Sequence, residues 1–452
     1  MSTDFDTIIL GGGPAGEHCA ARLAEGGQQV AIVERELLGG ECSYWGCIPS
    51  KTLLRPGEAL NAAATVPGAR QAITGAADPA AALAWRDFMV SSYDDAGQAR
   101  WAQDAGVTIL RGVGRLDGAG RVAVDGEVAT AADVVLATGS EPFIPAVPGL
   151  RGLDGLWTNR EATAMTAIPD RLLILGGGAV GVELAQAVRC LGGEVALVEG
   201  AHHVLAREPE ALGRAVGETL AAEGVELHLG RHVTSAAREG DEYVLRLEDG
   251  RVLRGDRLLV ATGRHPRVRD LGLETVGLEA DVTGIGVDER LRAADSLWAI
   301  GDVTGLWPLT YVGKYQARVA ADNILGRPRA ADYTAVPRVV FTDPQIAAVG
   351  ATDGPVTATV SLADVPRSAT YTRDYDVRPG FLTLIADGER LTGAYAVGPE
   401  AGEWLQQATV AIRARVPLEV LDDVIQPFPT FSEVFLHGLQ ALAARVPATV
   451  GA

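Results

Sequence analysis

The chain has 452 residues, of which 47% are hydrophobic and 21% are charged, and its formal net charge at pH 7 is −19. This composition is typical of a globular protein and excludes a largely disordered chain, and the acidic balance argues against a nucleic-acid binder. No apolar run is long enough to span a bilayer. No basic stretch precedes the first apolar segment, so no signal peptide is predicted. We therefore expect a cytoplasmic protein without membrane or nucleic-acid partners.

Two segments of the chain predict the same succession of strand, glycine turn, helix and strand. The first begins with a β-prone stretch over 5–10, continues through GGGPAG at 11–16 and ends at the strand Val30–Glu34. The second repeats this order around GGGAVG at 176–181 and ends at Glu199. In both segments the closing glutamate follows the first glycine at the same distance along the chain. Each segment is therefore predicted to be a βαβ unit.

Such a unit is typical of a dinucleotide site. The glycines let backbone N–H groups approach a pyrophosphate at the helix N-terminus, and the glutamate accepts hydrogen bonds from a ribose diol. Because 55 of the 452 residues are glycine, the glycine spacing alone is a weak signal. One dinucleotide site together with one packing turn is therefore the alternative. Two true sites in one chain suggest FAD together with a nicotinamide dinucleotide.

A second repeated signal follows each unit. ATGS at 137–140 and ATGR at 261–264 each end a buried strand in a tight turn, where a ligand or a crossing chain comes close. A further buried strand ends at Asp302, and from about residue 336 the pattern changes to strands followed by helices. We therefore expect three domains: a discontinuous first dinucleotide-binding domain at 1–147 and 270–335, a second at 148–269, and an α+β domain at 336–452.

Two of the four cysteines form a close pair. Cys42 and Cys47 lie at the start of a predicted helix, whose N-terminus stabilises a thiolate. In a cytosolic chain such a pair is more often redox-active or metal-binding than structural. Zinc needs about four ligands, and no further His or Cys cluster accompanies the pair. A redox-active disulfide beside a flavin is the leading interpretation; a metal site and two plain thiols are the alternatives.

Together these motifs resemble the class I pyridine nucleotide-disulfide oxidoreductases, the family of dihydrolipoamide dehydrogenase, glutathione reductase and mercuric reductase. The resemblance covers essentially the whole chain. The motifs that carry it are GGGPAG at 11–16, GGECSYWGCIPSK at 39–51, ATGS at 137–140, GGGAVGVE at 176–183, ATGR at 261–264, AIGD at 299–302 and FTDPQIAAVG at 341–350. The resemblance implies an α/β fold with two Rossmann-like domains, for FAD and for NAD(P)H, and a C-terminal α+β domain that builds a homodimer.

The resemblance also assigns the catalytic centre. Cys42 is implied to be the interchange thiol, which faces the acceptor, and Cys47 the charge-transfer thiol next to the flavin. Lys51 is implied to lie near flavin N5 and to pair with Glu183, which raises the electron affinity of the flavin. Lys51 and Lys314 are the only lysines in a chain whose other basic residues are arginines, so a retained ammonium group at this position is itself informative.

The cofactor sites follow from the same motifs. The residues expected at FAD are Gly11, Gly13, Gly16, Glu34, Lys51, Thr138, Gly139 and Asp302. Those expected at the nicotinamide dinucleotide and the adjoining turn are Gly176, Gly178, Gly181, Glu199 and Gly263. A carboxylate at Glu199 favours the free 2′-hydroxyl of NADH over a 2′-phosphate, although His202, His203 and Arg207 follow it. NADH is therefore expected, with NADPH as the alternative, and no metal cofactor is expected.

The pattern departs from the family at the acceptor side. Disulfide-reducing relatives carry His-Pro-Thr-x-x-Glu near the C-terminus. The His of the partner subunit shuttles protons to the interchange thiol, and the Glu orients that His. This chain has Phe428 in place of the His and keeps the Glu as Glu433. A phenyl ring cannot transfer protons, and loss of a general acid–base typically costs roughly 10²–10⁴ in rate. Three explanations stay open: an acceptor that needs no proton relay, a substitute such as His437, or a proton from solvent or from the substrate.

Four other positions carry alternatives. Tyr44 and Trp45, between the cysteines, form either an aromatic acceptor pocket with Phe428 or packing at an interface. Ala179 stands where some relatives carry an aromatic gate, which predicts an open nicotinamide pocket. His18 either contacts the FAD phosphates or is solvated.

The sequence predicts an FAD-dependent NAD(P)H oxidoreductase that passes electrons through Cys42 and Cys47 to a small acceptor, a disulfide in the leading reading. A diaphorase-type quinone or metal reductase that bypasses dithiol exchange is one alternative, and a non-enzymatic flavin-bound redox sensor is another. Mercuric reductase proper is not expected, because residues 446–452 lack the cysteine pair that hands over mercury and no metal-carrier domain precedes the first strand. The expected partners are a small-molecule acceptor and a second copy of the chain.

Overall fold

The computed structural model describes residues 4–281, 283–367 and 380–445. Its first sheet is mainly parallel and is built from apolar strands buried on both faces, as expected where helices cover a parallel sheet. The strands of this sheet, in spatial order, are Arg292–Ala294, Leu297–Ala299, Glu127–Leu136, Phe5–Leu10, Val30–Glu34 and Val107–Arg111. Two short antiparallel strands, Gly114–Leu116 and Arg121–Val124, extend from Glu127–Leu136.

The helices around this sheet follow the predicted order. They are Pro14–Glu25, Gly40–Tyr44, Cys47–Thr65, Pro79–Met89, Ala96–Asp104 and Thr310–Ile324. Fully buried small residues, including Ala20, Ala317 and Ala321, let the first and last of these helices pack closely on the sheet. Cys42 lies on the short helix Gly40–Tyr44, whereas Cys47 begins the long helix Cys47–Thr65. The two cysteines are therefore not at the start of one helix, contrary to the sequence prediction.

The second βαβ unit forms a sheet of its own. Its parallel strands, in spatial order, are Glu226–Leu229, Glu194–Glu199, Arg171–Leu175 and Arg257–Val260. Its helices are Asn159–Thr163, Ala179–Cys190 and Glu210–Ala222. An antiparallel sheet of Val233–Glu239, Glu242–Leu247 and Val252–Gly255 packs beside it. Both units thus place a glycine turn between a central strand and a helix, as the repeated motifs predict.

A two-stranded antiparallel ribbon connects the two units. Its strands are Ser140–Pro142 and Arg264–Pro266. The first strand precedes residue 148, where the second domain is predicted to start, and the other precedes its predicted end at 269. The chain therefore enters and leaves the second unit side by side.

The C-terminal part is an antiparallel sheet covered by helices. The strands, in spatial order, are Pro337–Val340, Gln345–Gly350, Leu391–Gly398, Phe381–Ala386 and Val356–Ser361. The helices are Ala401–Trp404, Gln406–Arg413, Leu418–Asp422 and Val434–Ala443. Leu382, Leu384 and Val434 lie in the shared core and are fully buried. The expected fold class, two Rossmann-like units and an α+β part, is confirmed.

No helix in the described ranges combines the length and the hydropathy that crossing a bilayer requires. Residues 446–452, where the missing cysteine pair was noted, lie outside the described residues.

Candidate functional site

The first glycine turn is closed on one side and open on the other. A Cβ atom on Gly11 would lie 2.3 Å from the carbonyl oxygen of Ala137, and one on Gly16 would lie 2.0 Å from that of Gly11. These two positions therefore admit only glycine, since no side chain fits between strand and helix. A Cβ on Gly13 would meet only the Cα of Gly40, at 4.0 Å. The helix N-terminus thus has room for a phosphate group on this side.

The second glycine turn repeats this geometry. A Cβ on Gly176 would lie 2.5 Å from the carbonyl oxygen of Ala261, and one on Gly181 would lie 2.0 Å from that of Gly176. Nothing in the structure would lie within 4 Å of a Cβ on Gly178. Ala179, which follows it, is exposed, in agreement with the open pocket that the sequence predicts. Both turns therefore fit a dinucleotide in the same way.

The two closing glutamates are held by matching hydrogen bonds. Glu34 accepts the backbone N–H of Gly12 at 2.8 Å and that of Glu36 at 2.7 Å. Glu199 accepts the N–H of Gly177 at 2.6 Å and the N–H two residues further along at 2.8 Å. Each carboxylate is fixed beside its glycine turn, where a ribose diol would approach.

The structure brings Cys42 and Cys47 together at the joint between two helices. Cys42 lies on Gly40–Tyr44, and Cys47 is the first residue of Cys47–Thr65. Both thiols are free and half-buried, with their Sγ atoms 2.7 Å apart. The backbone thus holds two sulfur atoms where a disulfide bond can form without rearrangement of the helices.

The two thiols differ in acidity. The hydrogen bond donated by Cys42 lowers the pKa of Cys47 to about 6, against burial, with help from the Thr310 hydroxyl and the positive charge of Lys51. The Thr310 Oγ1 lies 3.3 Å from the Cys47 Sγ. The pKa of Cys42 is raised above that of a free thiol, because its proton is held by Cys47 and because it is buried. At neutral pH the thiolate therefore resides on Cys47 and the proton on Cys42.

A buried ion pair lies beside the cysteines. Lys51 Nζ is 2.7 Å from Glu183 Oε2, and the Glu183 side chain is only 6% exposed. The other carboxylate oxygen accepts the backbone N–H of Phe341 at 2.9 Å, and the Phe341 ring lies 4.7 Å from the same ammonium. Glu183 thus fixes Lys51 with a charge-assisted hydrogen bond, as the resemblance implies.

The turns at 137–140 and 261–264 form hydrogen bonds with the chain segments that cross between the two units. Thr138 donates its hydroxyl to the carbonyl of Arg267 at 2.9 Å, and the Gly139 carbonyl accepts the N–H of Arg267 at 2.9 Å. The Gly263 carbonyl accepts the N–H of Phe143 at 2.9 Å. These contacts account for the two motifs without a ligand, so the cofactor contacts expected at Thr138, Gly139 and Gly263 stay predictions.

Asp302 is joined to the short helix that carries Cys42 through polar residues that the sequence analysis did not single out. It accepts the hydroxyl of Ser140 at 2.6 Å, and Ser140 in turn accepts Arg264 Nε at 2.8 Å. Arg264 also bonds Glu41, next to Cys42, at 3.0 Å, and Asn159 at 2.8 Å. Ser140 and Arg264 are the fourth residues of ATGS and ATGR. The difference between the two motifs at this position was the only sign in the sequence that these side chains have a particular role.

The segment that the resemblance assigns to the acceptor side contains an unpaired carboxylate oxygen. Within the described part of the chain, Glu433 Oε2 is buried and has no hydrogen-bond partner. Phe428, which stands in place of the expected His, is 71% exposed. His437 is half-buried on Val434–Ala443, on the turn of helix after Glu433. Glu433 is thus retained, although the His that it is implied to orient is replaced by Phe428.

Tyr44 does not line an open surface. It is 1% exposed and packs against Trp45 and Tyr93, with ring centroids 5.7 and 6.5 Å away. The guanidinium of Arg160 covers the Trp45 ring at 3.8 Å. Of the two interpretations of Tyr44, packing fits these contacts better than an acceptor pocket. The residues that Tyr44 packs against belong to the same chain and not to a subunit interface.

Near the first glycine turn, two titratable groups sit on the helix Pro14–Glu25. Burial raises the pKa of Glu17 to about 7, and its Oε1 has no hydrogen-bond partner among the described residues. Near neutral pH this carboxyl group therefore carries less negative charge than an ordinary glutamate, which weakens its repulsion of a pyrophosphate bound at the turn. His18 is exposed, and its Nδ1 lies 2.9 Å from the Pro14 carbonyl oxygen, which fits the solvated reading. The described residues contain no cluster of three or more potential metal ligands.

Comparison with known proteins assigns the whole chain. Residues 5–321 match the family model described as pyridine nucleotide-disulphide oxidoreductase, and residues 336–438 match its dimerisation domain. A mercuric reductase of Acidithiobacillus ferrooxidans is 35% identical over 453 residues, which cover 95% of this chain and 81% of that protein. A dihydrolipoyl dehydrogenase of Chlamydia muridarum is 32% identical over 453 residues, which cover 96% of this chain and 96% of that protein.

Solved structures agree with this assignment. A Cu(II) complex of the HOCl-induced flavoprotein disulfide reductase RclA from Escherichia coli superposes with a TM-score of 0.85 at 26% identity, covering 98% of this chain and 99% of that one. LpdA from Mycobacterium tuberculosis superposes with a TM-score of 0.83 at 26% identity, covering 96% and 99%. The dimerisation-domain match supports a homodimer. The chain belongs to the pyridine nucleotide-disulfide oxidoreductase family, whose members are FAD- and NAD(P)H-dependent flavoprotein enzymes.

Proposed function

We propose that Cys42 and Cys47 form the redox-active disulfide that carries electrons from the flavin to a small acceptor. The observation that supports this is the 2.7 Å approach of the two sulfur atoms, with the thiolate placed on Cys47 beside Lys51. FAD would be held by the first glycine turn, Glu34 and Asp302. When bound, it accepts a hydride from the nicotinamide and passes two electrons to the disulfide.

A small disulfide is the acceptor that this arrangement favours. To attack a disulfide, the Cys42 sulfur must lose its proton, which in relatives passes to the His that Phe428 replaces. Here the Cys47 thiolate lies 2.7 Å from the Cys42 sulfur and already accepts its hydrogen bond. Cys47 can therefore act as the base for Cys42. The first thiolate that leaves the acceptor is protonated from solvent. Cys47 then attacks the Cys42 sulfur of the mixed disulfide, which closes the Cys42–Cys47 bond, and its proton goes to the second thiolate that leaves.

The first test separates the two cysteines. In anaerobic NADH titrations we expect a long-wavelength thiolate-to-flavin charge-transfer band that Cys47→Ser abolishes. Cys42→Ser should keep the band, because Cys47 stays a thiolate, and should lose disulfide reduction completely. Cys190→Ser is the matched control, since this half-buried cysteine ends the helix Ala179–Cys190 and meets the long helix at Gly57, ten residues from Cys47. A wild-type enzyme that takes up only two electrons per flavin before full reduction would refute the relay.

The second candidate function is reduction of a quinone or a metal ion. Phe428 removes the proton relay that dithiol exchange uses, and the relatives include mercuric reductases and a Cu(II) complex of RclA. This function predicts that Cys42→Ser leaves quinone turnover nearly intact. A panel of lipoamide, glutathione-type disulfides, quinones and metal ions, run on wild type and Cys42→Ser, distinguishes the two.

Phe428→His tests what the phenyl ring removes. The new imidazole restores a group that can transfer protons five residues before Glu433, whose buried Oε2 has no partner in the described residues. We expect disulfide turnover to rise by about 10²-fold, the low end of a general acid–base contribution, with quinone turnover unchanged. Phe428→Leu is the control for loss of the ring alone. Equal disulfide rates in both variants would mean that the missing His does not limit the reaction.

We propose NADH as the donor. In support, two backbone N–H groups hold the Glu199 carboxylate beside the second glycine turn, where it would accept a 2′-hydroxyl and repel a 2′-phosphate. Glu199→Ala should reduce the ratio of kcat/KM for NADH over NADPH by at least about tenfold. Glu194→Ala is the control, since that glutamate is on the same strand with a side chain that is 67% exposed. A ratio unchanged by Glu199→Ala would refute this role.

A further inference from the structure

The residue next to the interchange thiol carries a carboxylate that is clamped from the second dinucleotide-binding unit. Glu41 Oε2 accepts Arg264 Nη2 at 3.0 Å and Asn159 Nδ2 at 3.1 Å, and its Oε1 accepts Arg160 Nη1 at 3.3 Å. These partners are more than a hundred residues away along the chain, so the clamp is a tertiary contact. It fixes the short helix that bears Cys42 against the start of the second unit.

The clamp also holds the segment between the two cysteines. Asn159 Nδ2 donates to the Trp45 carbonyl at 2.8 Å, and the Arg160 guanidinium lies 3.8 Å from the Trp45 ring centroid. On its other side, Arg264 bonds Ser140, which bonds Asp302. A single guanidinium thus connects the neighbour of Cys42 to a residue expected at the flavin.

The charges in the clamp are poorly screened. The side chains of Glu41, Arg160 and Arg264 are 24%, 25% and 25% exposed, so most of each lies out of solvent. Two guanidinium groups bond Glu41, and the more exposed Glu36 also bonds one of them, Arg160, at 3.0 Å. Because Glu41 directly precedes Cys42, loss of its carboxylate alone would leave one uncompensated positive charge next to the residue that carries the interchange thiol.

We propose that Glu41 is a positioning residue that sets the redox equilibrium of the Cys42–Cys47 pair: held by Arg264, Arg160 and Asn159, its carboxylate offsets guanidinium charge that would otherwise favour the reduced pair. This rests on the proposed function, in which the pair relays electrons.

The direction of the effect follows from the charge balance of the reaction. NADH and the disulfide give NAD⁺, a thiol on Cys42 and a thiolate on Cys47: two electrons break the S–S bond, and the hydride supplies the one proton. Reduction therefore adds one negative charge to the pair. Nearby positive charge favours it, and the carboxylate of Glu41 opposes it.

Glu41→Gln removes the charge and keeps the shape and an acceptor oxygen. The purified FAD-loaded enzyme is equilibrated with mixtures of reduced and oxidised dithiothreitol without NADH, and the reduced pair is read from the charge-transfer band. We expect Glu41→Gln to shift the exchange equilibrium about tenfold toward the reduced pair, about 30 mV for a two-electron couple. Glu36→Gln is the matched control, because Glu36 bonds Arg160 but is 43% exposed; it should shift the equilibrium less than about twofold.

Arg264→Gln provides a second variant with the opposite sign. It removes a positive charge from the same clamp and should shift the equilibrium toward the disulfide. General loosening of the clamp would move both variants in one direction, so opposite shifts support the charge role. Shifts of equal sign, or a Glu41→Gln equilibrium like that of wild type, overturn it. If wild type shows no charge-transfer band with excess dithiothreitol, the relay itself fails, and the role of Glu41 fails with it.

Discussion

At the scale of single residues, the acidity of Cys47 depends on few groups. The proton donated by Cys42 has the largest effect on the pKa of Cys47, and burial opposes it. The Thr310 hydroxyl and Lys51 add to the lowering. Thr310 is the first residue of the helix Thr310–Ile324 and lies 3.3 Å from the Cys47 sulfur. It is therefore the contact that can be removed without touching either cysteine or the ion pair.

Thr310→Val tests this contact by its pH dependence. Since the pKa of Cys47 is lowered to about 6, the thiolate persists above that pH and is protonated below it. We expect the charge-transfer band of the reduced enzyme to disappear as pH falls through about 6 in wild type, and at higher pH in Thr310→Val. Thr310→Ser keeps the hydroxyl and should titrate like wild type. The band is followed from pH 4.5 to 9, and superimposable curves for all three proteins would contradict the assigned role of Thr310.

At the scale of elements, one buried arginine anchors the helix Pro79–Met89. Arg86 is 1% exposed, and its guanidinium donates to the carbonyls of Thr163 and Met165. Thr163 is the last residue of the short helix Asn159–Thr163 of the second unit, and Met165 follows that helix. Arg86 therefore joins helices of the two dinucleotide-binding units.

Arg86→Met fills the volume but leaves two buried carbonyl oxygens without donors. We expect the free energy of unfolding to fall by about 2–4 kcal/mol, seen as a lower urea midpoint by circular dichroism. Arg100→Ala on the neighbouring helix Ala96–Asp104 is the control: this arginine is exposed, so its loss should change stability by less than about 0.5 kcal/mol. Equal midpoints for the two variants would show that Arg86 contributes nothing.

The elements differ in how far the sequence determines them. The strands and helices around both glycine turns are predictable, because the turn, the apolar strand and the closing glutamate are local signals. The Lys51–Glu183 pair was reached through the family resemblance, and the structure places the two groups 2.7 Å apart. The Glu41 clamp was not predictable, because Arg264 meets Glu41 only once both units have folded. The split of the cysteine segment into two helices was also missed, since the residues around Gly46 take non-helical backbone angles that no local motif marks.

At the scale of the whole molecule, apolar side chains are exposed before the last helix. Val420, Val424, Ile425 and Phe428 are 49%, 46%, 94% and 71% exposed. They all lie in the range that matches the dimerisation domain, residues 336–438. Exposed apolar side chains grouped in this way are typical of a protein interface, so we assign them to the contact between the two copies.

Ile425→Asp places a charge in the centre of this patch. We expect a monomer in analytical ultracentrifugation at concentrations where wild type is a dimer, with the far-UV spectrum unchanged. Val252→Asp is the control, because Val252 is 42% exposed on a strand of the second unit. A dimer of wild-type stability in Ile425→Asp would place the interface elsewhere.

The ion pair between Lys51 and Glu183 has a practical consequence for labelling. Only Lys51 and Lys314 present side-chain amines, so a reagent that acylates amines has two side-chain targets in each copy. Because Glu183 and the Phe341 ring contact the Lys51 ammonium, its acylation rate reports how often those contacts open. Lys314, read in the same mass spectrum, supplies the internal reference. Because lysine is so scarce, an ordinary amine reagent can thus measure motion next to the Cys42–Cys47 helices.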